Sequence, residues 1–438
     1  MVAYCNGKNE NPREEMKRVK EKRASISIPL DIPEVKVLAT EVTATGDVVI
    51  TVESTLGSAL CHQCGRETTE FHSVDRWITL RHLPILDRKV WIRLRPKRYR
   101  CPYCSDKPTT TQRLSWYEPG SSNTTAYEQY LLLRLVNSTI EDVSRKEQVG
   151  YEAVGGIIDR YLSREVTWEE YLSLEGVGLD ESALRKGHRD FVVIVTARSR
   201  EGRVSVLAVL ADRKKETVKQ FLRGIPARLQ ESLETVCPDM YEGLINAVKE
   251  ELPAATRVAD RFHVAQKYRE GADNLRKKEL RRLKQELPKE AYEAIKGAMW
   301  PFRKSAEELK PEEEAVLQRL FAYSPLLQQA YRLREALTAI FEQDLTKAAA
   351  TAKIKEWKEQ VVGSGLSCFD AFLTLLDNWM EEITNYFVKR ETSGFVEGLN
   401  NKIKVLKRRC YGIFNLGHLF QRVFLDLEGY RLFAKAVS

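Results

Sequence analysis

Four cysteines at two short spacings carry the most specific chemical signal in this 438-residue chain. They form the pairs Cys61-x-x-Cys64 and Cys101-x-x-Cys104. Each pair offers two thiolates on a tight turn, and a β-hairpin that joins the turns would create the tetrahedral sulfur set that suits Zn²⁺. Since the four thiolates would fill all four coordination positions of the zinc ion and leave none for a substrate, we expect a structural zinc site. Any of three nearby histidines could replace a thiolate, but we assign the cysteines. Those histidines are His62, His72 and His82.

The stretch 88–100, just before the second cysteine pair, is basic and contains Trp91 and Tyr99. Alternation along one strand would place three of its bases on one face, which could follow a phosphate backbone. An edge strand protected by charge is the alternative. The residues of this stretch that we predict to bind DNA are Arg93, Arg95, Lys97, Arg98 and Arg100.

Residues 125–164 predict three helices. Ser138 or Thr139 could cap the second helix, and Gly150 separates it from the third. Helix, short glycine-containing turn and helix is the helix-turn-helix pattern, in which the last helix enters the DNA major groove. Arg160 would lie on that helix. The pattern is weak by itself, because any pair of packed helices resembles it.

Short apolar runs and helical stretches follow from residue 175 in the order β-β-β-α-β-α-β. This order resembles the ribonuclease H-like fold. A long run of charged amphipathic helices, 266–390, then separates these elements from a last basic helix. The sequence therefore predicts an α+β multidomain protein: a zinc ribbon, a helix-turn-helix and a ribonuclease H-like catalytic domain with a mixed sheet, interrupted by an all-helical insertion.

Three acids fall where the ribonuclease H-like fold places its catalytic carboxylates. Asp180 ends the first strand, Asp239 follows the fourth, and Glu397 lies on the last helix. Phosphodiester cleavage with two Mg²⁺ ions requires such clustered acidic ligands. We therefore predict that these residues are catalytic and hold magnesium. The same helix carries Asn400 and Lys404 as supporting groups and Arg408 as a DNA contact, all on the side opposite its apolar stripe.

The second acid has a competitor. Asp260 ends the fifth strand and lies close to His263. Strand order favours Asp239, so we assign supporting roles to Asp260 and His263. Glu181 should point away from Asp180, because neighbouring residues of a strand face opposite sides.

At these residues the chain resembles the DDE insertion-sequence transposases with an N-terminal zinc-binding domain, the ISL-three type. The resemblance covers roughly residues 35–430 and is strongest in LDESALRKGHRDFVVIV, CPDMYEGLINAVKEELPAATRVADRFHVAQ and SGFVEGLNNKIKVLKRRCYGIFN. It implies an enzyme that binds transposon ends, cleaves them with two Mg²⁺ and joins them to target DNA. Its partners would be double-stranded DNA and at least one second copy of the chain.

Two alternatives remain open: a domesticated, non-catalytic DNA-binding regulator, and a ribonuclease H-like nuclease without joining activity. The presence of all three acids favours the transposase.

The predicted domains follow the changes in sequence texture. They are a charged leader (1–34), the zinc ribbon (35–118), the helix-turn-helix (119–170), the first part of the catalytic domain (171–265), the insertion (266–390) and the last part with the tail (391–438).

Composition agrees with a DNA partner. Lysine and arginine number 70 against 62 acids, for a net charge of +8. No window has the length of uncharged apolar sequence that a membrane span needs. The cysteine pattern is not that of a disulfide framework, and the N-terminus has no secretory h-region. Both features predict a cytoplasmic, nucleoid-associated protein.

Overall fold

The computed structural model describes residues 27–183, 191–200, 202–390, 394–410 and 415–434. Within 394–400, only residues 398 and 399 have described side chains. Most of the predicted leader, 1–26, lies outside the described residues. The chain divides into two compact units, Met1–Glu128 and Gln129–Ser438.

Short strands build the first unit. They are β1 (Val35–Val42), β2 (Val48–Ser54), β3 (Ala59–Leu60), β4 (Glu67–Thr68), β5 (Glu70–Val74), β6 (Ile78–Ile85), β7 (Arg88–Leu94), β8 (Lys97–Arg100) and β9 (Thr109–Thr111). One sheet has the order β1-β2-β7-β6, a second has the order β5-β8-β9, and β3 pairs with β4. Apolar residues alternate along β2 and β7, so one face of the larger sheet forms the core of this unit.

Residues 105–124 contain β9, and Leu114 and Trp116 pack in the core. One expectation for this unit is wrong, because the basic stretch is not one alternating strand. β7 ends at Leu94 and β8 begins at Lys97, in a different sheet. Pro96 lies between them and cannot donate a ladder hydrogen bond, which explains why the strand ends there.

The predicted helix-turn-helix is formed. Its helices are α1 (Thr125–Leu135), α2 (Ile140–Glu147) and α3 (Tyr151–Tyr161). Thr139 caps α2 by accepting a hydrogen bond from the backbone N–H of Asp142 at 2.9 Å.

A mixed five-stranded sheet is the centre of the second unit. Its strands are β10 (Gly176–Ala183), β11 (Phe191–Arg198), β12 (Val204–Leu210), β13 (Thr235–Pro238) and β14 (Thr256–Arg257). Their order is β12-β11-β10-β13-β14, with β10 antiparallel to β11 and parallel to β13. This is the topology expected from the order of the sequence elements. Three helices follow β12 and β13: α4 (Lys215–Arg223), α5 (Ala227–Glu231), which the sequence analysis missed, and α6 (Glu242–Glu251).

The helical insertion begins with a long helix that starts at Arg261, five residues earlier than expected. Its helices are α7 (Arg261–Glu286), α8 (Lys289–Glu293), α9 (Met299–Arg303), α10 (Pro311–Tyr323), α11 (Pro325–Glu342), α12 (Lys347–Ser364) and α13 (Asp370–Lys389). They enclose a core of their own that includes Trp357 and Phe369. Trp300 of α9 is 63 % exposed.

Two final helices return to the sheet: α14 (Gly394–Arg409) and α15 (Leu416–Phe433). Leu399, Ile403 and Leu406 of α14 pack with Ile194 and other sheet residues, as the apolar stripe predicted. Among the residues that the structure describes, no helix is long and apolar enough to cross a membrane.

Candidate active site and zinc site

The cysteine pairs meet at one point of the first unit. The Sγ atoms of Cys61 and Cys104 are 3.9 Å apart, and those of Cys64 and Cys101 are 3.7 Å apart. Sulfurs that surround zinc tetrahedrally at about 2.3 Å would be separated by about 3.8 Å. The four thiols therefore fit a zinc ion without rearrangement. A hydrogen bond with the backbone of Cys64 lowers the pKa of Cys61 to about 6, which favours the thiolate that metal binding requires.

The nearby histidines have other partners. His62 bonds the Thr110 hydroxyl at 2.9 Å, and buried His82 bonds Thr124 at the same distance. His72 contacts its neighbour Ser73. The metal-binding group thus consists of the cysteines.

The parallel pairing of β10 and β13 brings the two predicted aspartates together. Leu179 is in register with Pro238, and the backbone N–H of Asp239 donates to Leu179 O at 2.7 Å. The next residue of β10 is Asp180, so both carboxylates lie side by side where these strands separate. A one-residue slip of β13 would move Asp239 to the other face.

His263 lies between three carboxylates on the first turn of α7. Its Nε2 is 3.5 Å from Asp180 Oδ1 and 3.6 Å from Asp260 Oδ2, and its Nδ1 is 3.6 Å from Asp239 Oδ1. The hydrogen bond with Asp180 raises the pKa of His263 to about 9, and the other two carboxylates add to the effect against the cost of burial. An imidazolium at neutral pH therefore balances part of the negative charge of these carboxylates.

Burial raises the pKa of Asp239, and the Asp180 charge adds to that effect while His263 opposes it. Asp260 is buried and caps α7 by accepting a hydrogen bond from the Phe262 backbone N–H at 2.8 Å. That bond fixes the Asp260 carboxylate at the edge of the cluster.

Carboxylate oxygens with one imidazole form a donor set for a divalent cation. One ligand atom each from Asp180, Asp239 and His263 lies within 4.8 Å of the others. The residues present thus fit a metal.

Glu397 lies on α14, and its side chain is outside the described set, as is that of Asn400. The position of the helix is informative nevertheless. Asp180 is opposite Ile194 in the β10–β11 ladder, so both point to the sheet face on which α14 packs. Glu181 belongs to the opposite face and pairs with Arg213 at 2.7 Å, as its strand position predicted.

The remaining predicted residues are spread over both units. Lys404, Arg408 and Arg160 are exposed on their helices. Arg93 and Arg95 are exposed and stack on the same ring, Trp77, at 4.5 Å and 5.7 Å from its centroid.

Three bases of the first unit have contacts within it. Lys97 donates to Ser54 O at 2.8 Å, Arg98 donates to Thr109 Oγ1 at 2.8 Å, and Arg100 pairs with Glu70 at 3.5 Å. Such contacts hold these side chains along the small sheet.

His263, to which the sequence assigned a supporting role, contacts all three aspartates of the cluster. The signal was present in Asp260-x-x-His263, because a residue that caps a helix and the third residue after it lie on the same side of the first turn. The buried pair Arg422 and Asp426 on α15 gave no signal, since the groups they bond near the helix-turn-helix, Leu135 and Asn137, lie more than 280 residues earlier.

Known proteins resemble this chain along most of its length. Residues 177–423 match a family described as "Transposase", of the ISL3 type. Residues 112–162 match the "Helix-turn-helix domain of transposase family ISL3", and residues 58–104 match the "zinc-finger of transposase IS204/IS1001/IS1096/IS1165".

Individual relatives agree. The transposase for insertion sequence element IS1001 of Bordetella parapertussis is 28 % identical over 83 % of this chain and 87 % of its own length. The transposase for IS1557 of Mycobacterium tuberculosis is 24 % identical over 85 % and 86 %. A solved structure, the Drosophila P element transposase strand transfer complex, covers 70 % of this chain and 92 % of its own, at 9 % identity and a TM-score of 0.38, which is too low to support an inference.

A zinc-binding ribbon, a helix-turn-helix and a carboxylate cluster on a mixed sheet thus occur in the order that this family has. The chain belongs to the ISL3 family of DDE transposases, DNA-binding enzymes that cleave and transfer DNA with the help of a divalent metal.

Proposed function

We propose that this transposase binds the ends of its own insertion sequence and cuts and joins them through Asp180, Asp239 and Glu397 with two Mg²⁺ ions. The observation that carries the assignment is the register of β10 and β13, which sets Asp180 and Asp239 side by side. Placement of α14 on the sheet face of Asp180 supports Glu397 as the third acid.

Two ions at these carboxylates would stabilise the attacking and leaving oxygens of an in-line displacement, first by water and then by a 3′-hydroxyl. The chain itself holds the carboxylates in place. The parallel strands fix two of them, and the α7 cap fixes Asp260 beside them. His263 contacts Asp180, Asp239 and Asp260, and its positive charge offsets the repulsion among these carboxylates before a metal binds.

Asp260 supports the cluster in this proposal and is not one of the three catalytic acids. Its carboxylate accepts the hydrogen bond that caps α7, which is a structural role at the start of that helix. Asp239 has the register position beside Asp180, and Asp260 does not.

The assignment is tested with purified protein, Mg²⁺, a target plasmid and a labelled duplex taken from the end of the element. Alanine at Asp180, Asp239 or Glu397 should lower cleavage roughly a thousandfold or more, because the metals contribute several kcal/mol, while end binding is retained. Glu181→Gln is the matched control, since this acid neighbours Asp180 but faces the other side. An active Asp239→Ala protein with an inactive Asp260→Ala protein would overturn the choice of the second aspartate.

Pairing of two DNA ends requires at least two copies of the chain, so we include a dimer or larger assembly on DNA in the proposal. A regulator that had lost catalysis would bind the ends and fail the cleavage assay. A simple nuclease would cleave the ends without joining them to the plasmid.

A further inference from the structure

A large cleft of about 1000 Å³ separates the recognition helix α3 from the corner where α14 ends and α15 begins. We call it the corner cleft. One wall consists of α3 and the start of α2, including Glu152, Gly156 and Asp142. The opposite wall consists of the end of α14 and the start of α15, including Arg408 and His418.

The two walls carry different chemistry. The α14–α15 wall carries Arg408, Arg409, His418 and Arg422. Arg409 and Arg422 pair with the buried Asp426, and Arg408 is exposed, so Arg408 is the base that this wall offers to a ligand. The wall of α2 and α3 carries carboxylates, and two of these are already paired within the protein: Glu141 with Arg145 at 2.6 Å, and Asp159 with Arg164 at 2.9 Å. Basic groups suit phosphates, whereas carboxylates accept hydrogen bonds from the amino groups of cytosine bases.

Arg422 lies at the floor of the cleft and is only 3 % exposed. Its Nη2 donates to Ser138 O at 2.8 Å and to Leu135 O at 3.1 Å in the turn before α2. The buried Asp426 carboxylate, 3.7 Å away, balances its charge, so Arg422 anchors the helix-turn-helix at the floor of the cleft.

The N-termini of two helices also favour an anion in the cleft. The first turn of α2, capped by Thr139, and that of α15, capped by Asn415, both line the cleft. Helix N-termini attract anions through their partial positive charge.

The α3 wall also leaves room for close approach. Gly155 and Gly156 lie on it, and a Cβ added to either would meet nothing within 4 Å. A DNA strand could therefore come close to the backbone of the recognition helix.

We propose that the corner cleft binds the phosphate backbone beside the groove that α3 enters, so that the helix-turn-helix and the α14–α15 corner bind one stretch of DNA together. Arg408 contacts the phosphates directly. Arg422 holds the helix-turn-helix against the corner through its bonds to Leu135 and Ser138.

The length of α14 sets the distance between the phosphate bound in the cleft and the site of cleavage. This inference rests on the proposed role of Glu397. Arg408 follows Glu397 by eleven residues on the same helix. Eleven residues span about 16 Å of helix axis, or about five base pairs of DNA. The phosphate bound by the cleft should thus lie within about five base pairs of the cut.

Binding is tested in an Asp180→Ala background, so that failure of the catalytic proposal cannot affect the result. The probe is a fluorescent duplex from the end of the element. Gly156→Phe would fill the cleft at an exposed helix position, and Arg408→Glu would reverse the charge of its wall. Each should weaken binding by about tenfold or more at 0.1 M salt, and Arg408→Ala should lower the slope of log affinity against log salt by about one. Lys249→Glu, an exposed base on α6 outside the cleft, is the control and should bind as the parent does.

Thermal unfolding confirms that each variant is folded. Unchanged affinity in folded Gly156→Phe and Arg408→Glu proteins would overturn the cleft proposal, whatever the cleavage assay shows.

A second measurement locates the contact. Single methylphosphonates, which remove the charge of one phosphate, should weaken binding of the parent at one or two positions and have no further effect in Arg408→Ala. If those positions lie more than about five base pairs from the cut while the interference itself is seen, the cleft stands and the role of Glu397 in setting the distance fails.

Discussion

At the scale of single residues, His263 lies at the centre of the proposed active site. It is the one described side chain that contacts Asp180, Asp239 and Asp260 together. Its charge offsets a cluster of negative charges that would otherwise repel one another in a partly buried place. The folded protein therefore binds a proton at His263 more tightly than the unfolded chain does.

This binding makes stability depend on pH. The pKa of His263 is about 9 in the folded protein, above the ordinary value of 6.5. The stabilisation is complete below pH 6.5 and is lost as pH rises through about 9. In EDTA-treated protein, the excess in free energy of unfolding of wild type over His263→Gln should therefore fall between these limits, as measured by urea unfolding.

The exposed Leu172 supplies the control, because Leu172→Ala changes no titratable group and should differ from wild type by an amount that does not change over the same pH range. A constant difference for His263→Gln as well would contradict the assigned charge state.

At the scale of elements, the zinc ribbon depends on two turns held by four thiolates. Cys101→Ser removes one ligand from a buried position, and the remaining three thiolates should bind zinc weakly. We expect loss of the stoichiometric zinc measured by a chromophoric chelator, and weaker binding of end DNA.

The cysteine Cys368 provides the comparison, since it lies in the helical insertion far along the chain from the ribbon. A Cys368→Ser protein should keep its zinc. Retention of zinc by Cys101→Ser would argue against the four-cysteine site.

Elements were predictable where one local signal was sufficient. Thr139 caps α2 as its side chain and position indicated, and the apolar stripe of α14 is buried as its spacing required. The order of strands gave the sheet, and through it the neighbouring aspartates.

Features that the sequence did not predict lack such a local signal. The helix α5 is a single turn of five residues, too short for a periodic pattern. The contacts of His263 with three carboxylates form only where β10, β13 and α7 meet, which no local pattern encodes.

At the scale of the whole molecule, α15 joins the helix-turn-helix to the catalytic sheet. Asp426 on this helix is buried and accepts from the Asn137 backbone N–H at 3.0 Å, and it pairs with Arg409 at 3.3 Å and with Arg422 at 3.7 Å. Because Asp426 and Arg422 are both removed from solvent, loss of the Asp426 carboxylate would leave a buried cation without its partner.

Asp426→Ala should therefore lower the free energy of unfolding by about 3–5 kcal/mol. Asp344→Ala, at a side chain that is 99 % exposed, should change it by less than about 0.5 kcal/mol. Denaturant unfolding measures both, and equal effects of the two substitutions would show that Asp426 does not join these elements.

The insertion meets the sheet with both of its ends at the same edge. The backbone N–H of Ala259 donates to Glu382 O at 2.9 Å, and the Asn385 side chain donates to Arg257 O at 2.8 Å. The two ends of the insertion thus lie close together at one edge of the sheet. The helices between them could be lengthened, shortened or replaced without changing the carboxylate cluster. Related transposases could therefore differ in how they bind DNA and keep the same catalytic residues.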